Sequence, residues 1–265
     1  MQTYLDSLLS KKYLIAALAA TALAILVSNF LGKDYAILVG NLTYIPITGS
    51  LMVLSILVIA RYGASGQHGI AWISFGGYAL SALIAEMLWI FQELYLKIDP
   101  YPSTPDIFYL LNYPFLLMFF IAYFQPVRSA ITKKMFAAPI AFSAGILAIS
   151  LYFTIGVSSG LPLLEMALSI IYPTLDAIII IPALIGVVLF FKGKVNFMWT
   201  LFCFGIVSVF AADTAFLFTQ NDGSYYVGNP LEILFFWNYI LLAFGVSNHL
   251  VLFQKQKASK FKEME

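Results

Sequence analysis

The chain has 265 residues, of which 62% are hydrophobic and only 10% charged, with a formal net charge of +1 at pH 7. That balance leaves no basic surface for nucleic acid and no acidic tail, and a soluble domain of this length cannot hide so much apolar surface. A bilayer supplies the missing apolar solvent, so the expected fold class is an all-α integral membrane protein, one membrane domain over 1–265.

A helix rising 1.5 Å per residue crosses roughly 30 Å of hydrocarbon in about 20 residues. Eight segments meet that length: 13–31, 42–61, 70–95, 105–125, 136–157, 166–191, 197–219 and 230–253. The first follows Lys11-Lys12 in the manner of a signal peptide. Its apolar run to Phe30-Leu31 is longer than a signal core, and no clean cleavage site precedes Lys33-Asp34, so it is expected to stay as a helix. The second carries Tyr44-Ile45-Pro46 and Gly49; the third carries Trp72, Phe75 and, deep in its apolar run, Glu86. Glu93 and Asp99 follow at the interface, where solvated surface is the simpler reading.

The fourth segment opens on Ser103-Thr104-Pro105-Asp106 and holds Asn112-Tyr113-Pro114. A capping side chain, a proline at the first helical position and an acid in the first turn make a helix start without any ligand. The fifth is featureless. The sixth holds Tyr172-Pro173 and Asp176; the seventh holds Trp199, Phe202 and Asp213. The eighth repeats the helix-start pattern in Asn229-Pro230-Leu231-Glu232 and then carries Asn238-Tyr239. Trp72 and Trp199 fall at headgroup level, where indole is an interfacial anchor. Loop chemistry separates the segments, as in Gly32-Lys33-Asp34, Gly63-Ala64-Ser65-Gly66, Ser158-Ser159-Gly160 and Lys192-Gly193-Lys194.

Several of these features recur at one spacing. Asp213 lies 127 residues after Glu86, Trp199 after Trp72 and Phe202 after Phe75 by the same step; Asn238-Tyr239 lies 126 after Asn112-Tyr113, as Glu232 does after Asp106. A tandem 4+4 repeat is expected, repeat 1 over about 13–125 and repeat 2 over about 136–253, with a basic cytoplasmic tail at 254–265. Four crossings per copy give both copies the same direction, hence a pseudo-two-fold axis along the membrane normal. Twelve basic residues fall on the side of the N-terminus (Lys11, Lys12, Arg61, Arg128, Lys133, Lys134, Lys192, Lys194, Lys255, Lys257, Lys260, Lys262) and two, Lys33 and Lys97, on the other. The positive-inside rule then makes both termini cytoplasmic.

An ionisable group inside a spanning helix costs about 2.5–3.5 kcal/mol at its centre, a cost usually retained for function. Glu86, Asp176 and Asp213 are such groups. Helical rise puts Glu86 and Asp213 level with the two Asn-Tyr pairs in the outer half, and Asp176 nearer the midplane. A pocket is therefore expected from Glu86, Asn112, Tyr113, Asp176, Asp213, Asn238 and Tyr239. The single Cys203 and the two histidines, His68 and His249, exclude a thiolate or multi-histidine metal centre. Carboxylates alone suit protons or hard cations over zinc or copper, and the identity of any metal is left open. No hydrolase elbow, zinc-protease helix, phosphate loop or dinucleotide fingerprint occurs, and no cofactor is expected.

Tyr101-Pro102-Ser103-Thr104-Pro105-Asp106 running on to Asn112-Tyr113-Pro114, Tyr172-Pro173-Thr174-Leu175-Asp176, and Ala212-Asp213 followed by Tyr225-Tyr226-Val227-Gly228-Asn229-Pro230-Leu231-Glu232 are the three stretches that carry a likeness. Together they resemble a pattern in the membrane-embedded N-terminal regions of prokaryotic signalling proteins, especially diguanylate cyclases and some histidine kinases. The resemblance implies signal input. Those proteins continue into a cytoplasmic output domain, whereas this chain ends shortly after its last span, so a separate signalling partner is expected beside the lipid bilayer. The expected function is a non-enzymatic sensor or accessory subunit of the cell membrane, its outward-facing pocket taking a small cation, an amine or protons. A proton- or cation-coupled small-solute transporter and a membrane-embedded carboxylate-dependent hydrolase are the alternatives.

Overall fold

A computed structural model of the chain describes the backbone of residues 2–158 and 160–262, and the side chains of 11–155 and 160–252. Ser159 of the expected 158–160 loop and the side chains of the basic tail 254–265 lie outside the described residues. Eight helices follow one another among them: α1 (Gln2–Leu31), α2 (Lys33–Tyr62), α3 (Gly66–Ile90), α4 (Thr104–Phe124), α5 (Lys134–Ser158), α6 (Leu163–Leu189), α7 (Asn196–Asn221) and α8 (Glu232–Lys262). Each contains a stretch long and apolar enough to cross a membrane, and the chain is a multi-pass membrane protein.

Each expected span falls on one helix, the third running on past α3 into the turn that follows it, and α1 and α2 both begin well before their expected starts; for α2 the cause is visible. It begins at Lys33 rather than 42, because Gly32 alone makes the turn at φ 126° and its carbonyl already accepts the Ala36 N–H at 3.0 Å. Lys33 and Asp34 thus form the first helical turn, where the acid meets the positive end of the peptide dipoles. At its far end α3 continues into a π-helical turn, Phe91–Leu96, which stops where Lys97 enters the left-handed region at φ 58°. That extra turn carries Glu93 under α2, and Glu93 Oε2 accepts from Asn41 Nδ2 at 2.8 Å.

Neighbours in sequence pack as neighbours in space within α1–α4 and within α5–α8. Across the two groups α2 packs on α8, α4 on α6 and α1 on α8. The spans of α1 and α5 are the least enclosed, with only 17% of their apolar windows buried. Phe30 on α1 and Tyr152 on α5 are fully exposed large side chains, a surface that only lipid can solvate.

The interior is aromatic. Phe75 of α3 and Phe202 of α7 stack across the centre with centroids 5.3 Å apart and planes 16° apart. Trp199 packs on Phe124, Phe190 and Phe119, while Trp72 packs on Phe75, Phe119 and His249. Both indoles are wholly buried, so they are core residues and not the interfacial anchors that their position along the helix suggested. The reason is close packing: Gly186 lets α6 lie so near Trp199 that an added Cβ would sit 2.1 Å from its ring. On the side of the chain termini, Tyr62 Oη of α2 and His249 Nε2 of α8 are hydrogen-bonded at 3.0 Å.

On the opposite side the α7–α8 connection folds down on α1 and α2. Gly228 adopts φ 87°, and a Cβ there would meet the Ala36 carbonyl oxygen at 1.9 Å. Asn29 locks this approach by donating to the Gly228 carbonyl at 2.6 Å and accepting from Tyr226 Oη at 2.6 Å. Gly228→Ala therefore meets both a left-handed backbone and a backbone clash. It is expected to lower the unfolding midpoint in detergent by several degrees, corresponding to about 2 kcal/mol or more, whereas Gly223→Ala, which clashes with nothing, costs less.

Candidate functional site

A cavity of about 100 Å³ lies between the two groups of helices, away from the termini, and takes lining residues from α2, α3, α4, α6, α7 and α8. By the measure in which one water needs about 10–15 Å³, this is room for several waters or a small organic molecule. Glu86, Asn112, Tyr113, Asp176, Asp213, Asn238 and Tyr239 all line it. Asp106 and Glu232 line it too, so five carboxyl groups face one space that no lysine, arginine or histidine lines.

Tyrosine hydroxyls hold most of these acids. Tyr239 Oη donates to Glu86 Oε1 at 2.8 Å, Tyr113 Oη to Asp176 Oδ1 at 2.9 Å and Tyr172 Oη to Asp106 Oδ1 at 2.7 Å. Glu232 accepts two, from Tyr44 Oη and, at 2.6 Å, from Tyr225 Oη. Burial first, and then the neighbouring Glu232, push the Tyr225 hydroxyl well above the ordinary tyrosine range, so it remains a donor. Each tyrosine–acid bond between spanning helices joins α1–α4 to α5–α8: Tyr44 reaches α8, Tyr113 reaches α6, Tyr172 reaches α4 and Tyr239 reaches α3.

The helix-start reading of Asp106 is half of its role. Its Oδ2 accepts the Ser103 N–H at 2.8 Å, closing the first turn of α4, while Oδ1 turns into the cavity to Tyr172. Glu232 departs further, since both of its oxygens are spent on tyrosines and the residue is 1% exposed. The sequence carried one signal for both acids: they are spaced as the Asn-Tyr pairs are, and so, within two residues, are Tyr44 and Tyr172.

Asp213 is half-buried, and its neighbour is Asp176 rather than an Asn-Tyr pair. Asp176 is buried to 3% exposure, and its Oδ2 meets no donor. The buried Oδ1 atoms of Asn112 and Asn238 likewise meet none. The lining therefore holds three orphan acceptors, at Asp176, Asn112 and Asn238, beside two orphan donors, Trp89 Nε1 and Tyr101 Oη. No three His, Cys, Asp or Glu side chains among the described residues converge closely enough to chelate a metal ion.

Outside the cavity, a wider depression of about 590 Å³ opens at the end remote from the termini, bordered by Lys33, Asp34, Glu93, Lys97, Asp99 and Gln220. Asp99 is exposed there, as expected, whereas Glu93 is half-buried under Asn41. Trp89 and Tyr225 line both spaces and form the partition between them, their rings perpendicular with centroids 6.5 Å apart. Toward the termini the lining includes Tyr78, and Tyr78 packs on Phe75 of the Phe75–Phe202 stack, which lies 11 residues, about 16 Å, along α3 from Glu86. Comparison with protein-family models, with curated proteins and with solved structures finds no match.

Two substitutions separate the satisfied acids from the unsatisfied one. Tyr44→Phe removes one of the two donors to Glu232 and is expected to destabilise by about 1–3 kcal/mol, read as a lower unfolding midpoint in detergent. Asp176→Asn replaces an orphan acceptor with a donor next to Asp213, so the midpoint is expected to hold or rise by a few degrees. Equal losses in the two variants would make Asp176 an ordinary structural acid.

Proposed function

We propose that the chain is a non-enzymatic sensor or accessory subunit of the cell membrane, with both termini cytoplasmic and a pocket open to the outside for a small cation, an amine or protons. The observation that carries this reading is the cavity itself: five carboxyls, no basic residue in the lining, and an acidic side chain with one buried oxygen left without a donor. In a low-dielectric site an uncompensated acid is costly, and a positively charged occupant removes that cost. The likeness to the membrane regions of prokaryotic signalling proteins agrees with signal input.

The reading of a tandem 4+4 repeat draws support from the neighbour pattern and from the bonds. α2 against α8 mirrors α6 against α4, and Tyr44–Glu232 mirrors Tyr172–Asp106. Phe75 and Phe202, equivalent by spacing, stack on each other as residues beside a two-fold axis do. Asp176 has Gly49 as its counterpart, which makes the acceptor excess one-sided.

Sensing is favoured over transport by the aromatic floor. Phe75, Phe119, Phe202, Trp72 and Trp199 make the bundle between the cavity and the termini largely aromatic among the described residues, which speaks against a polar path through it. The signal would pass by a small shift of helices to a partner near the cytoplasmic ends. A hydrolase would have to work through Asp176 and Asp213, with water held at the same place.

Proteoliposomes containing the protein are expected to show no flux of cations or amines above protein-free vesicles; flux that collapses in Asp176→Asn would assign transport instead. For the orientation, a cysteine introduced at Lys192 in a Cys203→Ser background is expected to resist an impermeant maleimide in intact cells, while one at Asp222 reacts. The reverse pattern would turn the pocket inward.

A further inference from the structure

We infer that the cavity is built for a protonated primary or secondary alkylamine, in preference to a metal ion, a quaternary ammonium or a bare proton. The inference rests on the pocket reading above and narrows its ligand by three independent features of the lining.

The first is the donor deficit. Asp176 Oδ2, Asn112 Oδ1 and Asn238 Oδ1 are buried and meet no donor, while each tyrosine that reaches an acid already donates to it. Trp89 Nε1 and Tyr101 Oη are orphan donors on the same lining, so the deficit is at Asp176, Asn112 and Asn238, and an occupant placed there gains from bringing N–H groups along with positive charge. An alkylammonium carries two or three N–H donors on its charge, whereas a quaternary ammonium carries none.

The second is the spacing of the acids. Five carboxyls line the cavity, yet among the described residues no three acidic, cysteine or histidine side chains converge as calcium or magnesium would require with six or more oxygens close around one point. Asp176 and Asp213 are neighbours, and each of the other three acids is held by a tyrosine hydroxyl of its own. That pattern suits one small charged head at the acidic pair and a longer apolar body.

The third is what surrounds the acids. Trp89, Tyr101, Tyr109, Tyr172, Phe216 and Tyr225 present ring surface to the same space. Aromatic faces attract cations and pack against short alkyl chains, and they offer little to a hydrated inorganic ion. A proton would need neither the room nor the ring surface. Trp89 and Tyr225, which line both spaces, are all that the two linings share, so an occupant arriving from the depression outside would have to displace them.

The test is thermal unfolding and titration calorimetry of the full chain in detergent at fixed pH and ionic strength, with n-butylammonium, tetramethylammonium, 1-butanol, sodium, potassium and calcium as probes. The expected result is saturable binding and stabilisation by n-butylammonium alone, weakened at least about tenfold in Asp176→Asn. The wild-type panel decides even if that variant does not fold. Equal stabilisation by tetramethylammonium or 1-butanol, saturation by calcium, or a response to pH with none to any amine would each overturn the alkylamine assignment while leaving the pocket reading in place. No response to any cation or to pH would remove the pocket reading with it.

Discussion

A carboxyl group placed inside a lipid-facing bundle needs a hydrogen-bond donor, and the choice of tyrosine to supply it organises this protein. Tyrosine has an apolar ring that tolerates the membrane interior and a single donor at its tip. Here the tip lies on one group of helices and the acid on the other. Tyr44, Tyr113, Tyr172 and Tyr239 each reach across, so satisfying the acids and joining α1–α4 to α5–α8 are one event. A hydrogen bond to a charged group contributes about 1.5–3 kcal/mol, comparable with the insertion cost of the acid it serves. The acids are thereby tolerated, and the cavity is the space that their pairing encloses.

Tolerance is not spread evenly. Glu232 has two tyrosines, Asp106 has a tyrosine and a backbone N–H, and Glu86 has Tyr239 with Tyr109 beside it. Asp176 has one tyrosine for two buried oxygens and an acid for a neighbour. On the duplicated reading, α2 offers only Gly49 where α6 offers Asp176, so the second copy carries one acid more than its set of tyrosines serves. The unsatisfied end of the cavity follows from that single difference, and it is where an occupant gains most.

Much of this was legible in the residues because insertion cost is local. Glu86, Asp176 and Asp213 stand out within apolar runs, and helical rise alone brings Asn112-Tyr113 and Asn238-Tyr239 to their level. What escaped was decided by tertiary contact. Asp106 and Glu232 already had a sufficient local explanation as helix starts, and only the position of Tyr172 and Tyr44 on other helices turns them inward. Trp72 and Trp199 sit at headgroup depth along their helices, yet α6 and α8 close over them and make them core. The early start of α2 rests on the φ of one glycine, which composition reads equally well as a longer loop.

How an occupied cavity would be felt at the other end follows from the two helices that touch both. α2 and α8 are joined at the cavity by Tyr44–Glu232 and near the termini by Tyr62–His249, with Arg61 Nη1 also donating to the Leu250 carbonyl at 3.2 Å. The two junctions are 18 residues apart on α2 and 17 on α8, about 26 Å along each axis. Between them the aromatic core is close-packed and does not compress, so a change in helix spacing at Glu232 has to be taken up as a shift or rotation of α8 against α2. A channel through the bundle would need that core to open; a relay needs it to stay shut. The Phe75–Phe202 stack belongs to the aromatic core that lies between the cavity and the side of the chain termini, so on the sensor proposal a closed core and a shift of α8 against α2 go together.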